Sequence, residues 1–345
     1  MSTEPIRAIA LFSGGLDSIL AARIVRDQGI DVIAVHFDIG VCPGPGTRRV
    51  LDPEAPEEEP AAVAAGRRIG LAVETVDLYP AYWETLVRPR HGYGSGFNPC
   101  LDCKVHMLRA AAGLMREREA RFVITGEVIG QRPMSQQRNA MRMIEKESGL
   151  DGLLLRPLSA RLLDPTLPER EGWVDRERLL EIAGRGRKEQ MALAERLEIG
   201  EYPSPAGGCC LTEPVFAARM RDYLEHRGEE EAPDLREIHL LQLGRHFRLS
   251  PRSRAVVARD SGECRLLDRN ADLGWRLEAE ARGPVTLALD GPGDSDLLLA
   301  AAITAGYGDG RNDPRVPVRI TRGEREWGVD AAPLSKEEAA RLRIG

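Results

Sequence analysis

The sequence predicts an α/β protein, a doubly wound parallel sheet, followed by a second, smaller α+β domain. Three observations predict it. Short apolar runs alternate with stretches of helical periodicity, a glycine-rich turn joins the first run to the first helix, and the texture changes beyond a proline- and glycine-rich break at residues 200–214. Strand alternating with helix implies βαβ units, and hence parallel pairing.

The apolar runs at 6–12, 31–37, 72–76 and 121–125 have strand length, and 153–158 adds a fifth. Between and after them, helical spacing covers 19–28, 61–69, 101–118, 175–183 and 188–197. Residues 41–60 mix prolines with glycines and carry Glu57-Glu58-Glu59, so a loop over the carboxyl edge of the sheet is expected there. Past the break, helices are expected at 214–226, 235–243 and 295–305. Strands are expected at 254–259, 275–280, 285–289 and 316–321. The division that follows is 1–200 for the first domain, 201–235 for a cysteine-bearing linker and helix, and 236–345 for the second domain.

A chain of 345 residues exceeds what one core usually organises, which agrees with two domains. Its 48 basic and 54 acidic residues give a formal charge of −6, so any contact with nucleic acid has to come from local clustering rather than from an overall excess of cations. No basic segment followed by an apolar stretch opens the sequence, and the apolar run 297–305 is far short of the roughly 20 residues a bilayer span needs. A cytoplasmic protein without membrane contact is the expectation. In a reducing compartment its six cysteines read as metal ligands, redox groups or buried thiols before they read as disulfides.

Ser13-Gly14-Gly15-Leu16-Asp17-Ser18 follows the first strand and opens the first helix. Successive glycines let backbone N–H groups turn inward, and the helix amino terminus adds unpaired donors and a partial positive charge, making an anion cradle. The loop lacks the Gly-Lys-Ser/Thr ending of the Walker form. A strand-to-helix turn with a nearby aspartate also arises for structural reasons alone, so the complete hexapeptide in this setting carries the weight.

Asn98-Pro99-Cys100-Leu101-Asp102-Cys103-Lys104 places two thiols three residues apart at a helix start, and Gly207-Gly208-Cys209-Cys210 brings two more in a glycine-rich segment. A C-x-x-C pair by itself suits half a zinc site, a redox pair or a corner of an iron–sulfur cluster. Cys42 and Cys264 each stand alone and read as small buried hydrophobes.

The hexapeptide resembles the PP-loop signature of the ATP-pyrophosphatase superfamily, with its adenine nucleotide alpha hydrolase-like fold. That resemblance implies bound ATP and Mg²⁺, release of AMP and pyrophosphate, and a metal-organising role for Asp17. The adenine is expected at the carboxyl ends of the first strands, near Phe12 and Phe37. The Asn-Pro-centred cysteine pair, the downstream Gly-Cys, and Thr125-Gly126-Glu127-Val128 with Gly130-Gln131 and Ser135-Gln136 resemble tRNA thiolation enzymes, the 2-thiouridylases and 4-thiouridine synthetases, over residues 6–212. In the 2-thiouridylases the first cysteine of the pair is often aspartate, so the complete C-x-x-C is a departure toward cluster-dependent thiolases. It implies a [4Fe-4S] cluster on Cys100, Cys103 and Cys209, with Cys210 as the alternative third ligand; zinc or a persulfide relay are the rival uses of these thiols. Glu127 and Gln131, beside Gly126, would orient nucleotide or base.

Arg132, Arg138 and Arg142 form one basic cluster, and Arg245, Arg248, Arg252 and Arg254 form another with His246 and Phe247 interleaved. Gly244-Arg245-His246-Phe247-Arg248 and the run 296–302 resemble the NFACT RNA-binding domain over residues 236–345. The expected activity is an ATP-dependent tRNA sulfurtransferase that adenylates a uridine carbonyl oxygen and replaces it with sulfur. Its partners would be tRNA and a sulfide or persulfide donor, with a homodimer left open. An amidating synthetase of the same superfamily and a non-enzymatic, zinc-stabilised RNA-binding protein are the alternatives.

Overall fold

The computed structural model describes residues 5–42, 49–202, 209–228 and 231–345. The chain divides into two compact units, Met1–Gly40 with Glu58–Gly208, and Val41–Glu57 with Cys209–Gly345. No helix among the described residues is long and apolar enough to cross a membrane.

The first unit runs β1 (Arg7–Leu11), α1 (Leu16–Arg26), β2 (Asp31–Asp38), α2 (Ala61–Arg68), β3 (Val73–Asp77), α3 (Tyr82–Val87), α4 (Cys100–Glu117), β4 (Phe122–Ile124), α5 (Arg138–Glu147), β5 (Leu154–Leu155), the short α6 (Leu167–Arg170) and α7 (Lys188–Arg196). Its five strands are all parallel in the order β3-β2-β1-β4-β5. The order reverses beside β1, so a crevice opens between the carboxyl ends of β1 and β4. Alternate residues of a strand face opposite sides. Ala8, Ala10, Phe122 and Ile124 therefore share a core with Leu20 and Val25 of α1, Ala65 of α2 and Leu193 of α7. Ile9 and Val123 are equally buried, and α4 packs on β1 and β4. Both faces are covered, as a doubly wound sheet requires.

The helix expected at 175–183 is absent. A 3-10 turn, Arg176–Arg178, is followed by extended chain in which Leu180 N donates to Pro157 O at 2.9 Å and Ile182 N to Leu158 O at 2.8 Å. Asp175 accounts for the turn: its carboxylate accepts from Glu177 N at 3.0 Å, an Asx turn that competes with a full helix.

The second unit holds α8 (Pro214–Arg227), α9 (Leu235–Leu240), β6 (Arg245–Ser250), β7 (Ser253–Val257), α10 (Ser261–Arg269), β8 (Trp275–Ala279), β9 (Val285–Leu289), α11 (Asp294–Gly306), β10 (Val316–Arg322), β11 (Arg325–Ala331), α12 (Lys336–Arg341) and β12 (Arg343–Ile344). Seven antiparallel strands lie in the order β11-β10-β8-β9-β7-β6-β12. Ala255, Leu277 and Ala288 meet Ala300 and Ala301 of α11 on one face, while Val256, Leu287 and Leu289 meet Leu240 and Leu267 on the other. Leu51 belongs to that second core. The segment Val41–Glu57, expected as a loop over the parallel sheet, is instead part of the second unit. Asn270 donates to Leu51 O at 2.8 Å, and Arg269 pairs with Asp52 at 2.9 Å and Glu54 at 2.6 Å.

Candidate functional site

Gly14 has φ +74°, and a Cβ there would stand 2.7 Å from Ala62 Cα and 2.9 Å from Ala61 O. Only glycine allows the loop to lie against the start of α2 in that conformation. Gly15 is the N-cap of α1 and no side chain caps the helix, so its leading N–H groups are left for an anion. Ser13 Oγ and Ser18 Oγ lie 3.3 Å apart, and the Ser18 hydroxyl donates to Gly15 O at 2.8 Å. Leu16 seats the helix in the core.

The loop after β4 closes the other side of the crevice. A Cβ on Gly126 would come within 2.5 Å of both Asp17 C and Ser18 N, so this loop rests directly on the first turn of α1. Gln131 Nε2 donates to Asp17 Oδ2 at 3.0 Å, and Arg187 Nη2 stands 3.7 Å from the same oxygen. Asp17 Oδ1 is buried without a hydrogen-bond partner. A carboxylate oxygen shielded from water and lacking a donor is unfavourable unless a cation meets it, which suits Mg²⁺. The residues present thus fit ATP with its metal. Phe12 and Phe37 are buried near the ends of β1 and β2, where the adenine was expected; Phe12 N donates to Val35 O at 2.8 Å.

Glu127 is 3 % exposed and multiply held. Arg156 Nε donates to its Oε2 at 3.2 Å, Thr125 Oγ1 donates to the same atom at 3.3 Å, and Lys104 Nζ lies 3.8 Å from Oε1. Arg156 also reaches Glu145 at 2.7 Å. Burial pushes the Glu127 carboxyl up, but Lys104 and Arg156 more than reverse this and hold it below its ordinary value of 4.5. Its charge therefore stabilises the fold above that ordinary value, and the contribution is lost as pH falls through the lower folded value. The chemical-denaturation midpoint should drop with acidification below about pH 4.5. Glu127→Gln should flatten that drop and destabilise the neutral protein by about 3 kcal/mol, since Arg156 keeps Glu145 as its one carboxylate partner beside the Met141 carbonyl; a pH series of urea titrations checks both.

Cys100 and Cys103 occupy the first turn of α4, and positions three apart share a helix face. Asp102 fixes this turn by accepting from Arg90 N at 3.1 Å and His91 N at 3.0 Å. Lys104, the next residue, ties the turn to the Glu127 loop. Lys104, Arg156 and Arg187 were not singled out by sequence reasoning. Lys104 had a local signal, its place directly after the cysteine pair, whereas nothing near Arg187 or Arg156 points to their partners.

Cys209 and Cys210 stand in the second unit; residues 204–208 of the preceding Ser-Pro-Ala-Gly-Gly run lie outside the described residues. Cys42, expected as an isolated buried thiol, is their neighbour. The sulfurs of Cys42, Cys209 and Cys210 all lie within 4.8 Å of one another, and Cys210 Sγ is 2.7 Å from Cys42 Sγ. None is in a disulfide. Cys209 raises the pKa of Cys42 most, with Cys210 and burial adding to it, and Cys210 is pushed up to about 12, chiefly by Cys209. Three thiolates crowd here only if a cation offsets them. Cys264 accepts from Val285 N at 3.5 Å among core residues.

Of the basic cluster around β6, Arg252 is exposed, whereas Arg248 and Arg254 are engaged within the unit. Arg254 is 1 % exposed and donates to Asp290 at 2.8 Å, Arg248 pairs with Asp222, and His246 and Phe247 are fully buried. Strand β7 lies inside the sheet, so its arginine is enclosed. An exposed pairing of cation and aromatic lies at the β10–β11 edge. Trp327 meets Trp275 edge-on at 4.9 Å, and Arg322 lies over the Trp275 ring at 5.7 Å. In the first unit, Arg90, Arg142 and Lys146 line a groove of about 600 Å³ with Asn139, Met143 and Glu147.

Two family models match separate stretches of the chain. Residues 5–161 match the family described as thiamine biosynthesis protein (ThiI), and residues 244–343 match the NFACT protein RNA binding domain. The chain is 34% identical over 77 residues to a tRNA-specific 2-thiouridylase of Bacteroides fragilis, covering 22% of this chain and 21% of that protein. It is 26% identical over 152 residues to a probable tRNA sulfurtransferase of Thermococcus kodakarensis, covering 44% and 36%. These curated relatives are matched over about a fifth to a third of their own length. A crystal structure of a 4-thiouridine synthetase–RNA complex with bound ATP superposes with a TM-score of 0.38 at 18% identity, covering 68% of this chain and 52% of that one. Residues 5–161 are thus similar to the ThiI family over somewhat less than half of the chain, and residues 244–343 of the second unit are similar to the NFACT RNA-binding domain.

Proposed function

We propose that the chain is an ATP-dependent tRNA sulfurtransferase. The observation that carries this reading is the meeting of the Ser13–Ser18 loop with the 125–131 loop at the sheet's switch point, where Asp17 keeps one buried oxygen without a partner. In the proposed reaction a uridine carbonyl oxygen attacks the α-phosphorus of ATP, and the bond from that phosphorus to the bridging oxygen breaks. Pyrophosphate leaves with the bonding pair. A sulfur nucleophile then attacks the activated carbon, and AMP departs with the former carbonyl oxygen. Adenylation is needed because a carbonyl oxygen is a poor leaving group.

Ser13, Gly14, Gly15, Leu16 and Ser18 would hold the departing pyrophosphate by backbone and hydroxyl donors already in position, so that little reorganisation accompanies the charge build-up. Asp17, oriented by Gln131 and Arg187, would take the Mg²⁺ that offsets phosphate charge. Glu127, with Oε2 held by Arg156 and Thr125, would keep Lys104 at the crevice and has Oε1 left without a hydrogen bond to orient nucleotide or base. The half-buried Cys100 and Cys103 are the thiols that this arrangement offers for sulfur handling. The resemblance supports a [4Fe-4S] cluster on Cys100, Cys103 and Cys209; sulfide or a persulfide carrier would supply the sulfur.

Transfer RNA would be held by the basic groove on α5 and by the Trp327 edge of the second unit. Trp327→Ala should weaken tRNA binding by about tenfold, the loss of one base stack, with fluorescence anisotropy at fixed salt as the measurement. Mass analysis of nucleosides from cells with and without the protein tests the activity. One missing sulfur-bearing nucleoside is expected; an unchanged set would favour the amidating synthetase.

A further inference from the structure

Two separate stretches of the second unit deliver three sulfurs to one place. Cys42 lies just beyond the end of β2, where Val41 is fully buried and its carbonyl accepts from Gln242 Nε2 at 3.2 Å. Cys209 is extended (φ −55°, ψ 141°) and caps the 3-10 turn Cys210–Thr212. Thr212 fixes that corner from both ends, donating its N–H to Cys209 O at 2.9 Å and its hydroxyl to the same atom at 2.6 Å. The corner turns two adjacent thiols toward one point, which a straight strand would send to opposite faces.

Among the described residues this is the one group of three Cys, His, Asp or Glu donors within 4.8 Å of one another. A tetrahedral ion with metal–sulfur bonds of about 2.3 Å spaces its ligands by about 3.8 Å, so all three sulfurs lie within reach of a single ion, and Cys42 and Cys210, 2.7 Å apart, would part by roughly 1 Å to take it. We propose that Cys42, Cys209 and Cys210 bind one thiophilic divalent cation of the zinc class, leaving its fourth position to water or another small donor. The ion fastens Val41–Glu57 to the start of α8, at the opposite end of the segment from the Asp52, Glu54 and Leu51 contacts made by Arg269 and Asn270. It is a staple for a segment whose two ends both continue into the first unit. This assignment gives Cys209 to the ion in place of the cluster set and leaves Cys100 and Cys103 to sulfur chemistry.

The test uses the full chain purified without oxygen or added chelator. Elemental analysis should find about one zinc per chain, and Co²⁺ exchange should give the absorption bands of tetrahedral thiolate coordination. Cys42→Ser and Cys210→Ser should each weaken Co²⁺ binding at least tenfold, while the Cys100→Ser/Cys103→Ser variant should keep it. Mass mapping of alkylated cysteines in the unsubstituted protein covers the case in which a variant does not fold. Cys42, Cys209 and Cys210 should be protected until a chelator is added, with Cys100 and Cys103 unaffected by it. Full Co²⁺ affinity in Cys42→Ser, or joint release of Cys100, Cys103 and Cys209 by iron chelation with Cys42 reactive throughout, overturns the assignment. The second result would uphold the cluster, and neither bears on whether the first unit cleaves ATP.

Discussion

Replacing Asp17 by alanine is expected to reduce RNA-dependent pyrophosphate release by at least about a hundredfold while leaving the fold intact. The side chain sits in the first turn of α1, and its contacts are Gln131 and the more distant Arg187. Removing it frees those donors to meet water, and alanine suits a helix. What disappears is Oδ1, a buried carboxylate oxygen of the crevice without a hydrogen-bond partner, to which the proposed reaction assigns the metal. Asp17→Asn keeps the shape but not the charge, and should fall nearly as far. Pyrophosphate release measured with a coupled phosphate assay, alongside circular dichroism, separates lost chemistry from lost structure. Unchanged release would remove the loop from the reaction.

Gly126→Ala should be nearly as damaging, for a steric reason. The added Cβ would fall 2.5 Å from Asp17 C and Ser18 N and 2.6 Å from Asp17 O, all backbone atoms of a helix that cannot yield separately. Either the β4 loop lifts from α1 or the first turn of α1 deforms. The expected loss is about 2–3 kcal/mol of stability, in the range of overpacked sites, together with at least tenfold weaker MgATP binding. Gly113→Ala is the control. It lies inside α4 with nothing within 4 Å of the new carbon, so it should stabilise by up to about 1 kcal/mol. Urea unfolding and calorimetric titration with MgATP would show the contrast, and equal behaviour of the two variants would refute the close approach.

The features legible in the sequence were local ones. Strands β1 to β4 announced themselves because each is an apolar run bounded by turn residues, and α4 because its apolar positions recur at helical spacing up to the turn at Glu119, whose φ is +55°. The stretch 175–183 misled because leucines and charged residues mimic an amphipathic helix, while Asp175 nucleates a turn and the rest pairs with Pro157 and Leu158. Strand β6 was concealed by its arginines, which ion-pair and hydrogen-bond within the unit, and β11 by being an edge strand, exposed on most of its positions and without a regular apolar alternation. The phosphate loop was readable because its chemistry lies in six consecutive residues. Lys104, Arg156 and Arg187 acquire meaning only through contacts far along the chain. Cys42 is the sharpest instance: no neighbour in sequence hints at a partner, and its two thiol neighbours open the second stretch of the same unit, more than 160 residues on.

The bond at which ATP is cut is what the account depends on most, and it is directly measurable. The chain is incubated with Mg²⁺, bulk tRNA, a sulfide source and ATP labelled at the α-phosphate, and the products are separated. Labelled AMP should accumulate in equal amount to pyrophosphate, and only when RNA is present. Accumulation of labelled ADP with inorganic phosphate, or AMP formation indifferent to RNA, would contradict it.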